Sequence, residues 1–124
     1  MVPKYKVWKK IDDVPWETHF MDDGGSRIKW IYTNEEDGTP ITVMYIELRE
    51  GLSLPEHVHR DQPDLVHVLE GEATMYVEGE GEFPIEPGMV VMVPPNTVHT
   101  IKDIKKTVRL YNVFAPAMPH MRAK

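Results

Sequence analysis

The sequence predicts an all-β protein. Eleven prolines and eight glycines are scattered along the chain and divide it into short segments. Most of these segments are rich in Val, Ile, Tyr and Thr and lie between turn residues, which is typical of β-strands. An apolar repeat that would indicate an amphipathic helix is not sustained over three turns in any stretch. Roughly eight to ten short strands at even spacing favour a sandwich, a jelly roll or a small barrel.

Length and composition predict a single globular domain. The chain has 124 residues, of which 41% are hydrophobic, and this is enough to bury a core without disulfides. We expect one domain over residues 1–124, made of an N-terminal arm (1–25), a barrel (26–114) and a C-terminal tail (115–124). Neither a linker nor an internal repeat divides the sequence.

Composition also disfavours several classes of function. The chain has no cysteine, which excludes disulfides and thiolate metal ligands. A net charge of −6 and the lack of a long basic block argue against a nucleic-acid partner. The longest apolar run, Met89 to Val93, is far too short to span a membrane, and the N-terminus lacks the features of a secretory signal. We therefore expect a cytoplasmic protein with no nucleic-acid or membrane partner.

The predicted elements of the N-terminal half surround one strand that is apolar on both faces, Ile41–Leu48. Such a strand is either covered on its outer side by a partner sheet or subunit, or is an ordinary hydrophobic strand. In chain order, the elements before it are a strand at Tyr5–Trp8, a helical turn around Pro15–Phe20, a turn at Asp22–Gly25, a strand at Ser26–Thr33 and a polar hairpin loop at Asn34–Gly38.

The C-terminal half is predicted to contain short strands separated by glycine and proline turns. Proline in one of them, at Phe83–Ile85, favours an edge position or a bulge. The predicted strands are Leu65–Glu70 and Glu72–Glu78, which are joined at Gly71, then Phe83–Ile85, Met89–Val93 and Thr107–Phe114.

Residues near the middle of the chain form a candidate metal site. His57 and His59 are separated by one residue, and side chains so spaced on an extended strand point to the same face. Asp64 follows after a short polar loop and begins the next strand. Two neutral nitrogens and a carboxylate oxygen suit a first-row divalent metal ion. His99, which follows a proline-rich turn, can point into a barrel from another strand and complete the ligand set.

Two segments of the chain resemble the motifs of a known family, the cupins. In order, the first cupin motif contains a glycine, a His-x-His pair, a glutamate and a second glycine at fixed spacing. The second motif contains, also at fixed spacing, a glycine, Pro-x-Gly, a histidine and an asparagine. The chain resembles a small single-domain cupin, whose fold is a double-stranded β-helix, or jelly-roll barrel. The residues at the motif positions are Gly51, His57, His59, Asp64 and Gly71 in the first and Gly88, Pro94, Asn96, His99 and Asp103 in the second.

Three of these residues depart from the cupin pattern. Asp64 replaces a glutamate, Asn96 a glycine and Asp103 an asparagine. Asn96 tolerates a left-handed turn almost as glycine does, and Asp103 is expected in a turn or on the surface. Asp64 is one methylene shorter than glutamate. It either still reaches the metal ion or, from outside the ligand set, holds a water or orients an imidazole.

The resemblance implies one divalent transition metal ion (Fe, Mn, Ni, Zn or Cu) bound by His57, His59 and His99, with Asp64 as the fourth ligand. The first functional hypothesis is a metal-dependent enzyme, with dioxygenase-like or isomerase or lyase chemistry on a small oxygenated or anionic molecule. The alternative is a non-catalytic protein that binds metal or a small molecule. The oligomeric state common in this family and the strand Ile41–Leu48, which is apolar on both faces, also predict a homodimer.

The other histidines are predicted to lie outside the site. His67 is an odd number of residues from Asp64 on one strand, so its side chain is expected to face away from the metal. His19 and His120 lie in irregular segments, where solvent exposure is expected. Residues that could line the barrel mouth, as an alternative to ordinary packing, are Trp30, Tyr45 and Arg109.

Overall fold

The computed structural model describes residues 5–19, 21 and 25–118. Strands dominate these residues, so the predicted all-β class is confirmed. In the described part of the chain, the model has no helix that is both long enough and apolar enough to cross a membrane. In chain order, the elements are β1 (Glu17–Thr18), β2 (Arg27–Tyr32), α1 (Asn34–Asp37), β3 (Thr42–Leu48), β4 (Asp64–Val77), β5 (Gly81–Ile85), β6 (Val90–Val93) and β7 (His99–Phe114), with a 3-10 turn at Ile11–Asp13.

The strands pair antiparallel in the order β1-β2-β3-β7-β4-β5, and β6 also pairs with β4. The two longest strands, β4 and β7, pair from Asp64–Phe114 at one end to Val77–His99 at the other. Along its other edge, β4 pairs first with β6 and then with β5. Both long strands therefore pass through the two halves of the barrel.

β4 changes direction at Gly71, which has a φ of 99°. The register with β7 shifts on both sides of this residue, as expected for a bulged strand. A Cβ atom at Gly71 would lie 2.3 Å from the backbone oxygen of Thr107, so only glycine permits this approach. The prediction of two strands joined at Gly71 was therefore wrong, because one strand continues through the bend. The last strand likewise begins at His99, eight residues before the predicted start at Thr107.

Alternate residues of β3 and β7 face the barrel interior. The inward positions of β3 are buried, and those of its partner β7 are at most 6% exposed. The core formed in this way is mainly aliphatic, but its wall also contains the polar residues Asp64 and Asn112. The inward residues of the two strands are Thr42, Met44, Ile46 and Leu48 in β3 and Val108, Leu110, Asn112 and Phe114 in β7.

The outer face of β3 is partly covered by the chain itself. The Tyr45 ring lies 5.6 Å from the Trp16 ring of the N-terminal arm and 5.2 Å from the Tyr111 ring of β7. Arg109 donates to Glu47 from the same outer face. Tyr45 and Arg109 thus pack on the outside of the sheet, and Trp30 is 4% exposed within the core. Ordinary packing, rather than the barrel mouth, accounts for all three.

Two predictions for the N-terminal arm were wrong. Tyr5–Trp8 forms no strand, although its composition favours one. β-Propensity leads to a strand only where a sheet edge is available for pairing. The helical turn predicted around Pro15–Phe20 is replaced by β1, which pairs with β2 through Glu17–Ile28 and Thr18–Arg27. Phe20 and most of the turn predicted at Asp22–Gly25 lie outside the described residues.

The connection between β2 and β3 contains a single helical turn, α1, where a hairpin loop was predicted. Thr33 caps this turn, since its Oγ1 accepts a hydrogen bond from the Glu36 backbone N–H at 3.1 Å. In return, the Asp37 carboxylate accepts from the Thr33 N–H at 2.9 Å. This reciprocal pair is a variant of the capping box, and the left-handed Gly38 ends the turn.

Candidate metal centre

The backbone places the two motif segments against each other. The His57 N–H donates to the His99 carbonyl at 3.0 Å, and the His99 N–H donates to the His57 carbonyl at 2.9 Å. On either side of this pair, Leu54 donates to Ile101 and the Asn96 N–H donates to the His59 carbonyl. The segment that contains the His-x-His pair is thereby aligned with the start of β7.

The left-handed turn before β7 also follows the sequence-based prediction. Asn96 has a φ of 60°, so the expected left-handed conformation is confirmed. Its side-chain oxygen accepts a hydrogen bond from the Asp61 N–H at 3.3 Å, which joins the two loops. Asp103 is exposed and has a φ of 51°, in agreement with the surface role expected for it.

Three histidine side chains, His57, His59 and His99, converge at one point and are called the triad below. One ligand nitrogen from each lies within 4.8 Å of the other two. Nitrogens about 2.1 Å from one ion would be at most about 4.2 Å apart, so small ring movements would bring all three to that distance. His99 is buried at 3% exposure, and the other two are half-buried. The triad could therefore hold a metal ion.

Hydrogen bonds at Nδ1 determine what two of these rings present at Nε2. His57 Nδ1 lies 2.9 Å from the Pro55 carbonyl oxygen, and His99 Nδ1 lies 2.9 Å from the Thr97 carbonyl oxygen. A carbonyl can only accept, so each Nδ1 must carry the proton. In the neutral ring, Nε2 then has a free lone pair, which is the form that binds metal.

Burial also favours the neutral form of His57 and His59. It lowers the pKa of His57, although the hydrogen bond to the Pro55 carbonyl opposes this. Burial also lowers the pKa of His59, to about 4, against the attraction of the Asp64 carboxylate. Both rings are therefore neutral near pH 7, so a metal ion would not have to displace protons from them.

Asp64 lies beside the triad and is held from behind by Asn112. Asp64 Oδ2 is 3.6 Å from His99 Nε2 and 3.8 Å from His59 Nε2. The other oxygen, Oδ1, accepts a hydrogen bond from Asn112 Nδ2 at 2.7 Å. Because a carboxylate only accepts, this contact also fixes the orientation of the Asn112 amide. Asp64 therefore directs one oxygen toward the triad.

His57, His59 and Asp64 line a cavity of about 30 Å³ inside the barrel. A water molecule needs on the order of 10–15 Å³ by this measure, so there is room for only a few atoms. Most of the wall is apolar, and its polar members are few. The other lining residues include Met44, Ile46, Leu54, Val66, Leu110 and Phe114, together with the polar residues His19 and Asn112.

His19 is a correction to the sequence-based prediction. It was expected in solvent, but it is 1% exposed and lines the cavity. The irregular sequence around it concealed the short pairing of β1 with β2, which places this part of the N-terminal arm on the barrel. Asn112 was also missed, and only its polar character at an inward position of a strand could have indicated it. His67 is exposed, which agrees with the prediction that it faces away from the site, and His120 lies outside the described residues.

Two buried polar atoms favour a bound ion or small molecule at the site. Among the described residues, neither His99 Nε2 nor Asn112 Oδ1 has a hydrogen-bond partner, although both are buried. A buried polar atom without a partner costs about 1–3 kcal/mol. For His99 Nε2, which faces two other imidazoles and a carboxylate, a divalent transition metal ion is the chemically matching partner. The residues present therefore fit such an ion.

Comparison with known proteins gives the same fold and a distant enzyme relative. A family model described as "Cupin domain" matches residues 44–114. Quercetin 2,3-dioxygenase from Bacillus subtilis is 29% identical over 69 residues, which are 56% of this chain and 20% of that protein. The chain thus spans about one-fifth of the length of this relative.

Solved structures with similar folds include an RmlC-like cupin from Shewanella frigidimarina, with a TM-score of 0.73 and 19% identity over 94% of this chain and 96% of that one. The polyketide cyclase RemF from Streptomyces resistomycificus has a TM-score of 0.72 and 19% identity, over 95% and 84% of the two chains. At these identities, the likeness concerns the fold alone. Since the family model covers more than half of the chain, this protein belongs to the cupin family.

Proposed function

We propose that this cupin is a metal-dependent enzyme acting on a small oxygenated or anionic molecule. In this proposal, His57, His59 and His99 bind one divalent transition metal ion through Nε2, and Asp64 Oδ2 is the fourth ligand. The observation that carries it is the convergence of the three rings on one point, two of them with Nδ1 hydrogen-bonded to a carbonyl, beside a mainly apolar cavity that His57 and His59 line. When bound, the ion would supply a Lewis acid or a redox centre.

The residues of the chain would have distinct roles around such an ion. The carbonyls of Pro55 and Thr97 keep two imidazoles in the ligand tautomer. Asn112 holds the Asp64 carboxylate, and its own unpartnered Oδ1 can accept a hydrogen bond from a hydroxyl or amine of the substrate. The apolar wall excludes bulk water, which strengthens the electrostatic interactions inside.

One observation favours the alternative, a non-catalytic protein that binds metal or a small molecule. The cavity of about 30 Å³ leaves little room beside an ion, so a larger substrate would need the mouth to open. A structural or ligand-storing role does not have this requirement. The two functions differ in turnover, which can be measured directly.

The test is turnover by the metal-loaded protein. Protein loaded in turn with Fe, Mn, Ni, Zn or Cu is offered small thiols, diketones and catechols, while dissolved oxygen is followed with an electrode and products by NMR. The enzyme proposal expects oxygen uptake or product formation that depends on both metal and substrate and is lost in His57→Ala. Tight ligand binding without turnover across the panel would contradict it and favour the binding role.

We also propose that the chain forms a homodimer. Support comes from exposed apolar side chains on β6, where Val90 is 60% and Met92 is 59% exposed. Such side chains on the outside of a sheet are candidates for burial between subunits. Light scattering at micromolar concentration should give twice the monomer mass of 14.3 kDa, and a monomer mass would contradict the proposal.

A further inference from the structure

We propose that Asn112 is a specificity-determining residue, whose Oδ1 atom accepts a hydrogen bond from the hydroxyl group of a small hydroxy acid in the cavity beside the triad. This inference rests on the proposed function and deepens it, because it names the class of molecule that the metal centre would receive. The residue that makes the contact lies outside both cupin motifs.

The position of Asn112 in the sheet favours an apolar side chain. It is an inward residue of β7 and is paired with Met44 of β3 and Val66 of β4, each of which is 1% exposed. Asn112 itself is 6% exposed and lines the cavity. An amide buried among apolar side chains costs free energy unless its polar atoms are hydrogen-bonded. The partners of this amide must therefore explain why it is there.

Asp64 explains only one half of the amide. Asn112 Nδ2 donates to Asp64 Oδ1 at 2.7 Å, and because a carboxylate only accepts, the amide nitrogen must be the atom that faces Asp64. The amide oxygen then points elsewhere. This Oδ1 atom is buried and has no hydrogen-bond partner among the described residues. Support of Asp64 needs the donor alone, so it leaves the buried acceptor unaccounted for.

The acceptor and the metal centre together define the class of ligand. Oδ1 requires an O–H or N–H donor, because an amide oxygen only accepts. The Asp64 carboxylate offsets one of the two charges of a divalent ion, so a carboxylate on the ligand would offset the other in this mainly apolar cavity. A hydroxyl group suits Oδ1 better than an ammonium group, which would add a further buried charge. Glycolate combines a hydroxyl and a carboxylate in very few atoms, as the cavity of about 30 Å³ demands.

Acetate and two variants isolate the proposed contact. Acetate has the carboxylate of glycolate but no hydroxyl, so the ratio of the two affinities measures what the hydroxyl contributes. Asn112→Leu has a similar shape but no acceptor. Asp64→Asn is the matched control, since its side-chain oxygen still accepts from Asn112 Nδ2, while the atom that faces the triad becomes a donor. It keeps Asn112 Oδ1 in place and removes the other acceptor that the hydroxyl could use.

The experiment is a titration of the cobalt(II)-loaded protein with glycolate and with acetate, followed by visible absorption and calorimetry. Chelator competition measures cobalt affinity separately, and each variant is saturated with cobalt before the titration. We expect Asn112→Leu to lower the glycolate-to-acetate affinity ratio about 3- to 10-fold, because one hydrogen bond is lost. In Asp64→Asn the ratio should fall by less than about twofold, because the acceptor remains.

Thermal melting checks that each variant folds. Asn112→Ala, which also lacks an acceptor, replaces Asn112→Leu if the larger side chain prevents folding, and the same fall in the ratio is expected.

Three outcomes would overturn the inference. An unchanged ratio in Asn112→Leu would show that Oδ1 accepts nothing from the ligand. An equal fall in Asn112→Leu and Asp64→Asn would assign the hydroxyl to Asp64 instead. A cobalt-loaded wild type that does not bind glycolate would remove the ligand class while leaving the metal site intact. Failure to bind cobalt at all would instead contradict the proposed function, and chelator competition detects that case independently.

Discussion

His57 and His99 of the barrel and His19 of the N-terminal arm have opposite hydrogen-bonding patterns at Nδ1. His57 and His99 are joined by reciprocal backbone bonds, and their Nδ1 atoms face carbonyl oxygens. His19 follows a two-residue strand, and its Nδ1 faces a backbone N–H. In the neutral ring, Nε2 therefore has a lone pair in one region and carries the proton in the other. The local backbone, rather than the residue type, determines which ring nitrogen of each imidazole is protonated.

The largest expected effect comes from adding a side chain at Gly71, where β4 and β7 approach closely. Gly71→Ala would place a Cβ 2.3 Å from the Thr107 oxygen, so the backbone of β4 or β7 must move. Gly79→Ala is the matched control, because Gly79 also has a positive φ of 91° but would meet nothing within 4 Å. We expect the free energy of unfolding of Gly71→Ala to be lower than that of the control by about 1–3 kcal/mol.

Urea denaturation of the two glycine variants and wild type measures this difference. The backbone strain of a side chain at positive φ is common to both variants, so the difference reports the close approach of β4 and β7 alone. Equal stability of the two variants would show that the bend at Gly71 tolerates a side chain. In that case, the pairing of β4 with β7 would be more deformable than the close approach at Gly71 indicates.

The next effect in size concerns Asp64. Asp64→Asn keeps the shape but removes the charge, and we expect metal affinity to fall by about 10- to 100-fold. Asp64→Glu, the usual cupin residue, is the control and should keep affinity within about tenfold, since it retains the carboxylate. Chelator competition measures both. Wild-type affinity in Asp64→Asn would contradict the proposed ligand role of this carboxylate.

Much of the barrel and of the histidine site within it could be predicted from the sequence. The one-residue spacing of His57 and His59 determines that they share a face, and the turn before His99 places it opposite. Strands β2, β3 and β6 were predicted to within one residue at each end, because turn residues bound them. Local signals of this kind are strong when the element is short and its neighbours are close in sequence.

The position of the N-terminal arm could not be predicted, since it depends on contacts between residues distant in sequence. His19 is buried because β1 pairs with β2, and neither its two residues nor the surrounding prolines and acidic residues indicate a strand. Asn112 bonds Asp64 across 48 positions, which no local pattern reveals. The length of β4 was missed for a related reason. Glycine at residue 71 is read as a turn, whereas here it permits a bend within a continuous strand.

Near neutral pH, the smallest expected effect is the pH dependence of the stability of the metal-free protein. Burial lowers the pKa of His59 from 6.5 to about 4, so between these values the unfolded chain binds more protons than the folded one. The free energy of unfolding should therefore fall as the pH is lowered from 6.5 to 4, and this contribution should be absent above 6.5. His59→Asn should flatten the slope, whereas the exposed-site control His67→Asn should not. Urea denaturation of the chelator-treated proteins measures it, and an unchanged slope in His59→Asn would contradict the burial argument.

Metal content measures most directly whether His57, His59 and His99 form a metal site. Wild type, His57→Ala and the control His67→Ala are purified after metal-supplemented expression and analysed by elemental mass spectrometry. We expect about one transition metal ion per chain in wild type and in His67→Ala, and almost none in His57→Ala, because an imidazole ligand is lost. Metal content near zero in the wild type, or unchanged in His57→Ala, would show that these histidines do not form the proposed site.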